Sequence, residues 1–179
     1  VVTPFLAQKD VKLRGLHNIE NLLAAAAAVW GEVPVEAIQK VGSTFTGVEH
    51  RIEPVRVLDG VTYYNDSIRT IAGLRSFDQK VILIAGGYDK HIPYEPLAPE
   101  VIAHVKDLVL MGATGPRIEK AVCEHPDFAA SGLTIQHADT MQHAVELARA
   151  AAQPGDIIIL SPASASFDLY PNFEVRGRE

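Results

Sequence analysis

The amino-acid sequence predicts an α/β fold: a Rossmann-like, mostly parallel sheet with helices on both faces, preceded by a short helical segment. Three observations carry this expectation. Short apolar runs at 80–85, 107–111, 133–136 and 156–160 alternate with helical segments at 99–104, 116–125 and 140–152, the pattern of a parallel sheet buried on both sides. Asp59-Gly60 separates two strand-like stretches, 51–58 and 61–64, and is a two-residue hairpin signal. Ahead of these lie two helical stretches. Residues 18–29 are rich in Ala and Leu, and 34–41 open on a proline whose missing N–H costs nothing in a first turn. The helical pair gives way to the α/β pattern near 46–49, so two parts are expected, 1–46 and 47–179.

Length and composition narrow the functional classes. The chain has 179 residues, of which 47% are hydrophobic and 21% charged, the balance of a globular protein with a substantial core. Sixteen basic against 22 acidic residues leave a net charge of -6. That argues against a nucleic-acid surface, which needs clustered cations to displace counterions. One cysteine, Cys123, excludes an intrachain disulfide. The most apolar stretch, 22–30, falls well short of the roughly 20 residues that span a bilayer. The first residues lack the basic, then apolar, character of a secretory signal. A start without Met and an abrupt end at Arg178-Glu179 suggest a piece of a longer polypeptide.

Polar clusters directly follow several predicted strands: Asn65-Asp66-Ser67, Gly86-Gly87-Tyr88-Asp89-Lys90 and Ser161 through Asp168. Parallel sheets bind ligands beyond the C-terminal ends of their strands. Three such ends carrying Asp, Lys and Ser therefore point to one site, although each cluster alone also reads as turn and cap residues. The Gly pair lets the backbone turn tightly, and Lys90 offers a compact cation for a carboxylate or phosphate. Gly112-Ala113-Thr114-Gly115 lacks the spacing of a dinucleotide loop, and no phosphate-binding G-x-x-x-x-G-K-[ST] occurs. Seven histidines and one cysteine show no metal-ligand spacing, so no protein metal site is expected.

These residues resemble the Mur ligase family. Leu16-His17-Asn18-Ile19-Glu20-Asn21, followed by an Ala-rich helix, is similar to the H-N-x-x-N segment that ends the family's central ATPase domain. Phe45 through Glu53 resembles its F-x-G-x-x-H-R-x-E linker, Asn65-Asp66-Ser67 its N-D-S turn, and Gly86-Gly87-Tyr88-Asp89-Lys90 its glycine-pair-plus-lysine turn. Ser161-Pro162-Ala163-Ser164-Ala165-Ser166-Phe167-Asp168 with Asn172-Phe173-Glu174-Val175-Arg176-Gly177 is similar to the signature of the D-glutamate-adding branch. The motifs run in order over residues 13–177.

The resemblance implies a three-domain enzyme. One domain would hold the UDP moiety, a central P-loop domain would bind ATP and most of the Mg2+, and a C-terminal α/β domain would bind the incoming amino acid. Residues 1–46 would then be the end of the central domain, and 47–179 the C-terminal one. ATP phosphorylates a substrate carboxylate, that of UDP-N-acetylmuramoyl-L-alanine, and the amine of D-glutamate attacks the acyl phosphate. By motif, Asn18, Asn21, His50, Arg51 and Asp66 would lie on the ATP side, with His50, Arg51 and Asp66 catalytic. Lys90, Ser166, Phe167 and Phe173 would line the D-glutamate pocket. Arg51 and Asp66, both at element ends, are expected to matter to turnover more than to folding. A cytoplasmic monomer without nucleic-acid partners or membrane insertion is implied, and the piece alone should be inactive. Two departures stand out: Ile68 replaces a common family lysine, and the stretch from Ile68 to Thr70 is shorter than the family's. The alternatives are another Mur-type or folylpolyglutamate-type amide ligase, and a non-catalytic nucleotide-binding module using Gly112 to Gly115.

Overall fold

The structure, a computed structural model, describes residues 4–66, 70–89, 91–164, 171–172 and 174–175. The chain divides into two compact units, Val1–Val48 and Glu49–Glu179. In the first, a 3-10 turn at Gln8–Asp10 precedes α1 (Leu16–Ala28) and α2 (Val35–Thr44). The alanine run of α1 has the highest helix propensity available, and α2 opens directly after Pro34. A Cβ on Gly42 would lie 2.5 Å from Leu6 Cδ2 and 3.1 Å from Leu22 Cδ2. The missing side chain therefore lets α2 close on those two leucines.

The second unit opens with a hairpin, β1 (Glu53–Leu58) and β2 (Val61–Asn65). Asp59 and Gly60 form its turn with φ of 53° and 78°, the left-handed pair that matches the twist of the flanking strands. There follow α3 (Thr70–Leu74), β3 (Val81–Gly86), α4 (Ala98–His104), β4 (Val105–Met111), α5 (Gly115–Cys123), α6 (Phe128–Ser131), β5 (Thr134–Ala138), α7 (Met141–Ala151) and β6 (Ile157–Leu160). They build one six-stranded sheet in the order β1-β2-β6-β3-β4-β5. Only β1 is antiparallel. The last strand is thus inserted between β2 and β3, which brings the ends of the second, third and sixth strands side by side.

Successive residues of the central strands point to opposite faces. On one side Leu83, Leu108, Leu110 and Ile159 pack with Leu74 of α3, Val101 of α4 and Ile118 of α5. On the other, Ile82, Ile84, Val109 and Ile158 meet Met141, Ala144 and Ala148 of α7. All six residues of β3 are buried, which is why its sequence reads as an unbroken apolar run. Each such Leu or Ile contributes about 1.5–3 kcal/mol.

The α/β fold with a mostly parallel sheet is as expected, and three local differences have physical causes. The first strand starts at Glu53 rather than residue 51, because His50 and Ile52 take φ of 62° and 47° and turn the chain. The short helices α3 and α6 are absent from the sequence pattern, since one turn or so is too short to show a 3.6-residue period. The fifth strand runs two residues further than its apolar run, to Ala138.

Gly86 ends β3 at φ 107°, and a Cβ there would lie 1.9 Å from the carbonyl oxygen of Met111. Gly86→Ala should therefore cost at least about 3 kcal/mol. Gly132→Ala, at φ 69° with nothing within 4 Å of its Cβ, should cost only about 1 kcal/mol. Denaturant unfolding of the two variants checks the contrast.

Near the start of β6, Lys106 Nζ lies 2.6 Å from Asp156 Oδ2, which also accepts the Gln153 N–H at 2.7 Å. Burial pushes the Asp156 carboxyl up, but the Lys106 hydrogen bond, the Gln153 N–H and the Lys106 charge together hold it below its ordinary value. A depressed carboxyl contributes stability above its unfolded pKa, about 4, and loses it as the pH falls through the folded value. The melting-temperature gap between wild type and Asp156→Asn should accordingly be full at pH 6 and close below about pH 4. A gap unchanged at low pH would contradict this pairing.

Candidate functional site

The C-terminal edge of the sheet gathers the polar loops. After β2, Asp66 is 1% exposed. Its N–H donates to the Leu160 carbonyl at 2.8 Å. Its carboxylate accepts the Ser161 hydroxyl at 3.1 Å and the Ile52 N–H at 3.4 Å. The Thr70 hydroxyl lies 3.0 Å from Ser161 Oγ and donates to the Ser161 carbonyl at 3.3 Å. A Cβ on Gly73 would sit 2.3 Å from Asp66 Oδ2, so glycine in α3 makes room for this carboxylate.

Beside it, the Asn65 amide nitrogen lies 2.7 Å from Nδ1 of buried His50, whose backbone N–H donates to Glu53 at 2.8 Å. Half-buried Arg51 stands between two residues in the left-handed region, His50 and Ile52. Non-glycine residues held there store strain that surrounding contacts must offset, and such strain concentrates at functional sites. His50, Arg51, Asn65 and Asp66 thus form one cluster. The expectation that Asp66 matters little to folding is corrected: removing its carboxylate would leave the Ser161 hydroxyl and the Ile52 N–H without this buried acceptor. In the first unit, Asn18 is buried in α1 and donates to the Arg14 carbonyl at 2.7 Å, while Asn21 is exposed on the same helix.

A second network ties together the loops after β3, β4 and β6. Gly86 N–H donates to the Pro162 carbonyl at 2.8 Å, and Thr114 N–H to the Gly87 carbonyl at 3.0 Å. Gly87 N–H returns to the Thr114 hydroxyl at 2.9 Å. That buried hydroxyl shares a 2.8 Å hydrogen bond with Ser164, and Ser164 a 3.0 Å one with the Tyr94 hydroxyl. Arg117 stacks over Tyr94, 5.2 Å from its ring centre, and its Nη1 lies 2.5 Å from both carboxylate oxygens of Asp89. The His91 N–H holds the Asp89 carboxyl below the usual carboxylate range against a smaller effect of burial, with Arg117 adding to the depression.

Lys90, Ser166, Phe167 and Phe173 lie outside the described residues. Their described neighbours are Asp89, Ser164 and Asn172, the last accepting the Val175 N–H at 2.9 Å. Thr70, Tyr94 and Arg117 escaped the sequence reading because their roles arise from partners distant in the chain, and Gly73 because the space it leaves for Asp66 depends on how α3 packs. Thr114, within the Gly112-to-Gly115 loop, carries one sequence signal, its place directly after a strand. Among the described residues no group of three or more His, Cys, Asp and Glu can hold a metal ion. No helix among the described residues is long and apolar enough to cross a membrane.

The UDP-N-acetylmuramoylalanine–D-glutamate ligase of Clostridium beijerinckii is 51% identical over 175 residues, covering 95% of this chain and 38% of that protein. Its counterpart from Clostridium novyi is 53% identical over 178 residues, covering 97% and 39%. The chain thus spans under two-fifths of the length of these relatives. A folylpolyglutamate synthase of Mycobacterium tuberculosis complexed with ADP shares the fold at 15% identity, with a TM-score of 0.62 over 86% of this chain and 39% of that one. A murein peptide ligase from Psychrobacter arcticus does so at 20% identity and a TM-score of 0.53, over 83% and 34%. The family described as Mur ligase, glutamate ligase domain, matches residues 48–164. That match takes in the sheet, both hydrogen-bond networks and well over half of the sequence, and the chain belongs to the Mur ligase family.

Proposed function

We propose that the chain is the C-terminal part of an ATP-dependent, cytoplasmic and monomeric ligase that adds D-glutamate to UDP-N-acetylmuramoyl-L-alanine in peptidoglycan precursor synthesis. The observation that carries this reading is the 51–53% identity, over nearly the whole chain, to ligases named for that reaction. In this reading residues 1–46 end the central ATPase domain, and 47–179 form the D-glutamate domain. The folylpolyglutamate-type alternative has only a shared fold at 15% identity in its favour.

The reaction needs two steps. A carboxylate oxygen of the acceptor forms a bond to the γ-phosphorus of ATP as the bond to ADP breaks. The D-glutamate amine then attacks the acyl carbon, loses its proton, and the tetrahedral intermediate expels inorganic phosphate to leave an amide. In this account Arg51, half-buried beside His50, stabilises charge on the transferring phosphoryl group. Asn18 and Asn21 belong to the ATP side as well. Asp66 fixes the His50-to-Ile52 turn through the Ile52 N–H, and so acts on turnover and folding together. Lys90, the Ser166 hydroxyl and the Phe167 N–H bind the D-glutamate carboxylates, with Phe173 as an apolar wall that strengthens those bonds by excluding water.

Full-length variants test the assignment. Lys90→Ala should raise the KM for D-glutamate about 10- to 150-fold, the loss of one charge-assisted hydrogen bond, and move the ATP KM far less. An unchanged D-glutamate KM removes Lys90 from the site. Arg51→Ala should lower kcat about 100-fold or more with little change in melting temperature. Asp66→Ala, in contrast, should lose about 1–3 kcal/mol of stability in addition to rate. If Arg51→Ala destabilised the protein at unaltered kcat, the residue would be structural.

A further inference from the structure

We infer that Asn65 and His50 are positioning residues for Arg51: the Asn65 amide holds the buried His50 ring, and through it the backbone turn that carries Arg51, and the imidazole takes no part in the chemistry itself. This role presupposes that Arg51 serves phosphoryl transfer.

Arg51 is the middle residue of a turn whose flanking residues, His50 and Ile52, take φ of 62° and 47°. Neither is glycine, so each conformation costs free energy and persists only where contacts over-determine it. Those contacts come from the end of β2. The Asn65 amide nitrogen lies 2.7 Å from His50 Nδ1, and Asp66 Oδ1 accepts the Ile52 N–H at 3.4 Å. Two consecutive residues thus hold the chain on either side of Arg51. Glu53 accepts the His50 N–H at 2.8 Å and is itself the ladder partner of Asn65, so the turn is pinned to the sheet. An amide nitrogen only donates. Nδ1 of His50 is therefore the acceptor, and the ring proton sits on Nε2. His50 is 5% exposed and Asn65 3%, so this hydrogen bond is made away from water, where it is strong and its loss is costly. A ring buried and committed in this way is suited to holding a backbone in place. Stabilising a transferring phosphoryl group demands such a fixed backbone, because small misplacements are costly in rate.

Steady-state kinetics of the full-length enzyme separate positioning from fold. Asn65→Leu, close to asparagine in size, should lower kcat about tenfold or more, while the KM values for ATP and D-glutamate move less than about threefold. His50→Asn keeps a carbonyl oxygen near the place of Nδ1, whereas His50→Leu does not. His50→Asn should therefore turn over at least about fivefold faster than His50→Leu. Asn65→Leu/His50→Leu should be no slower than His50→Leu, since residues acting as a unit are not additive. An unmoved kcat in Asn65→Leu overturns the inference. So does His50→Asn as slow as His50→Leu, which would make the imidazole itself a reacting group. Should a leucine variant fail to fold, the ring nitrogen resonances of histidine-labelled wild-type enzyme decide: an unprotonated Nδ1 is expected, and a protonated one overturns the inference. Arg51→Ala measured alongside distinguishes the two levels. A lowered kcat there with none in Asn65→Leu defeats the Asn65 role alone, whereas an unmoved kcat in Arg51→Ala defeats the phosphoryl-side reading and this inference with it.

Discussion

The hydrogen bond from the Ser161 hydroxyl to the Asp66 carboxylate joins two strand ends that lie 95 residues apart in sequence. The rest of the sheet edge depends on it. The sixth strand has only four residues, and it lies between β2 and β3, which precede it in the chain. Four residues of ladder hold register weakly, so a side-chain tie at the end of the strand fixes where the following loop begins. The tie is buried, where a satisfied hydrogen bond is stronger than in water and an unsatisfied one is costly. Gly73 completes the arrangement by leaving space for the carboxylate against α3.

From that point the loop after β6 faces two ways. Through Ser161 it is bound to Asp66 and Thr70, next to the strained His50-to-Ile52 turn. Through Pro162 and Ser164 it is bound to the loops after β3 and β4. If the chain acts as proposed, its phosphoryl-side and amine-side groups must be held in fixed relation, since small misplacements of reacting atoms are costly in rate. Four residues carrying ties to both networks would supply such a relation with little chain.

Much of this was legible in the sequence. Asp59-Gly60 marked the hairpin because type I′ turns demand two left-handed residues, and both have that conformation. The strands showed themselves because a doubly covered sheet requires apolar residues at every position, as in Val81–Gly86. The order of short motifs pointed to the family. What escaped was of one kind. Thr70, Tyr94 and Arg117 act through partners between 23 and 91 residues away, and no local period or spacing encodes such pairings. The fate of Asp66 escaped for the same reason: an acid after a strand looks exposed until α3 and β6 close over it.

We propose that this edge receives D-glutamate in an amide-forming reaction. The most direct test is phosphate release by the purified full-length protein given ATP, UDP-N-acetylmuramoyl-L-alanine and one candidate amino acid at a time, with product masses recorded. Phosphate release should require D-glutamate and be matched by a new species heavier than the acceptor by one glutamyl residue. Release supported equally by another amino acid, or D-glutamate left unincorporated, would contradict it.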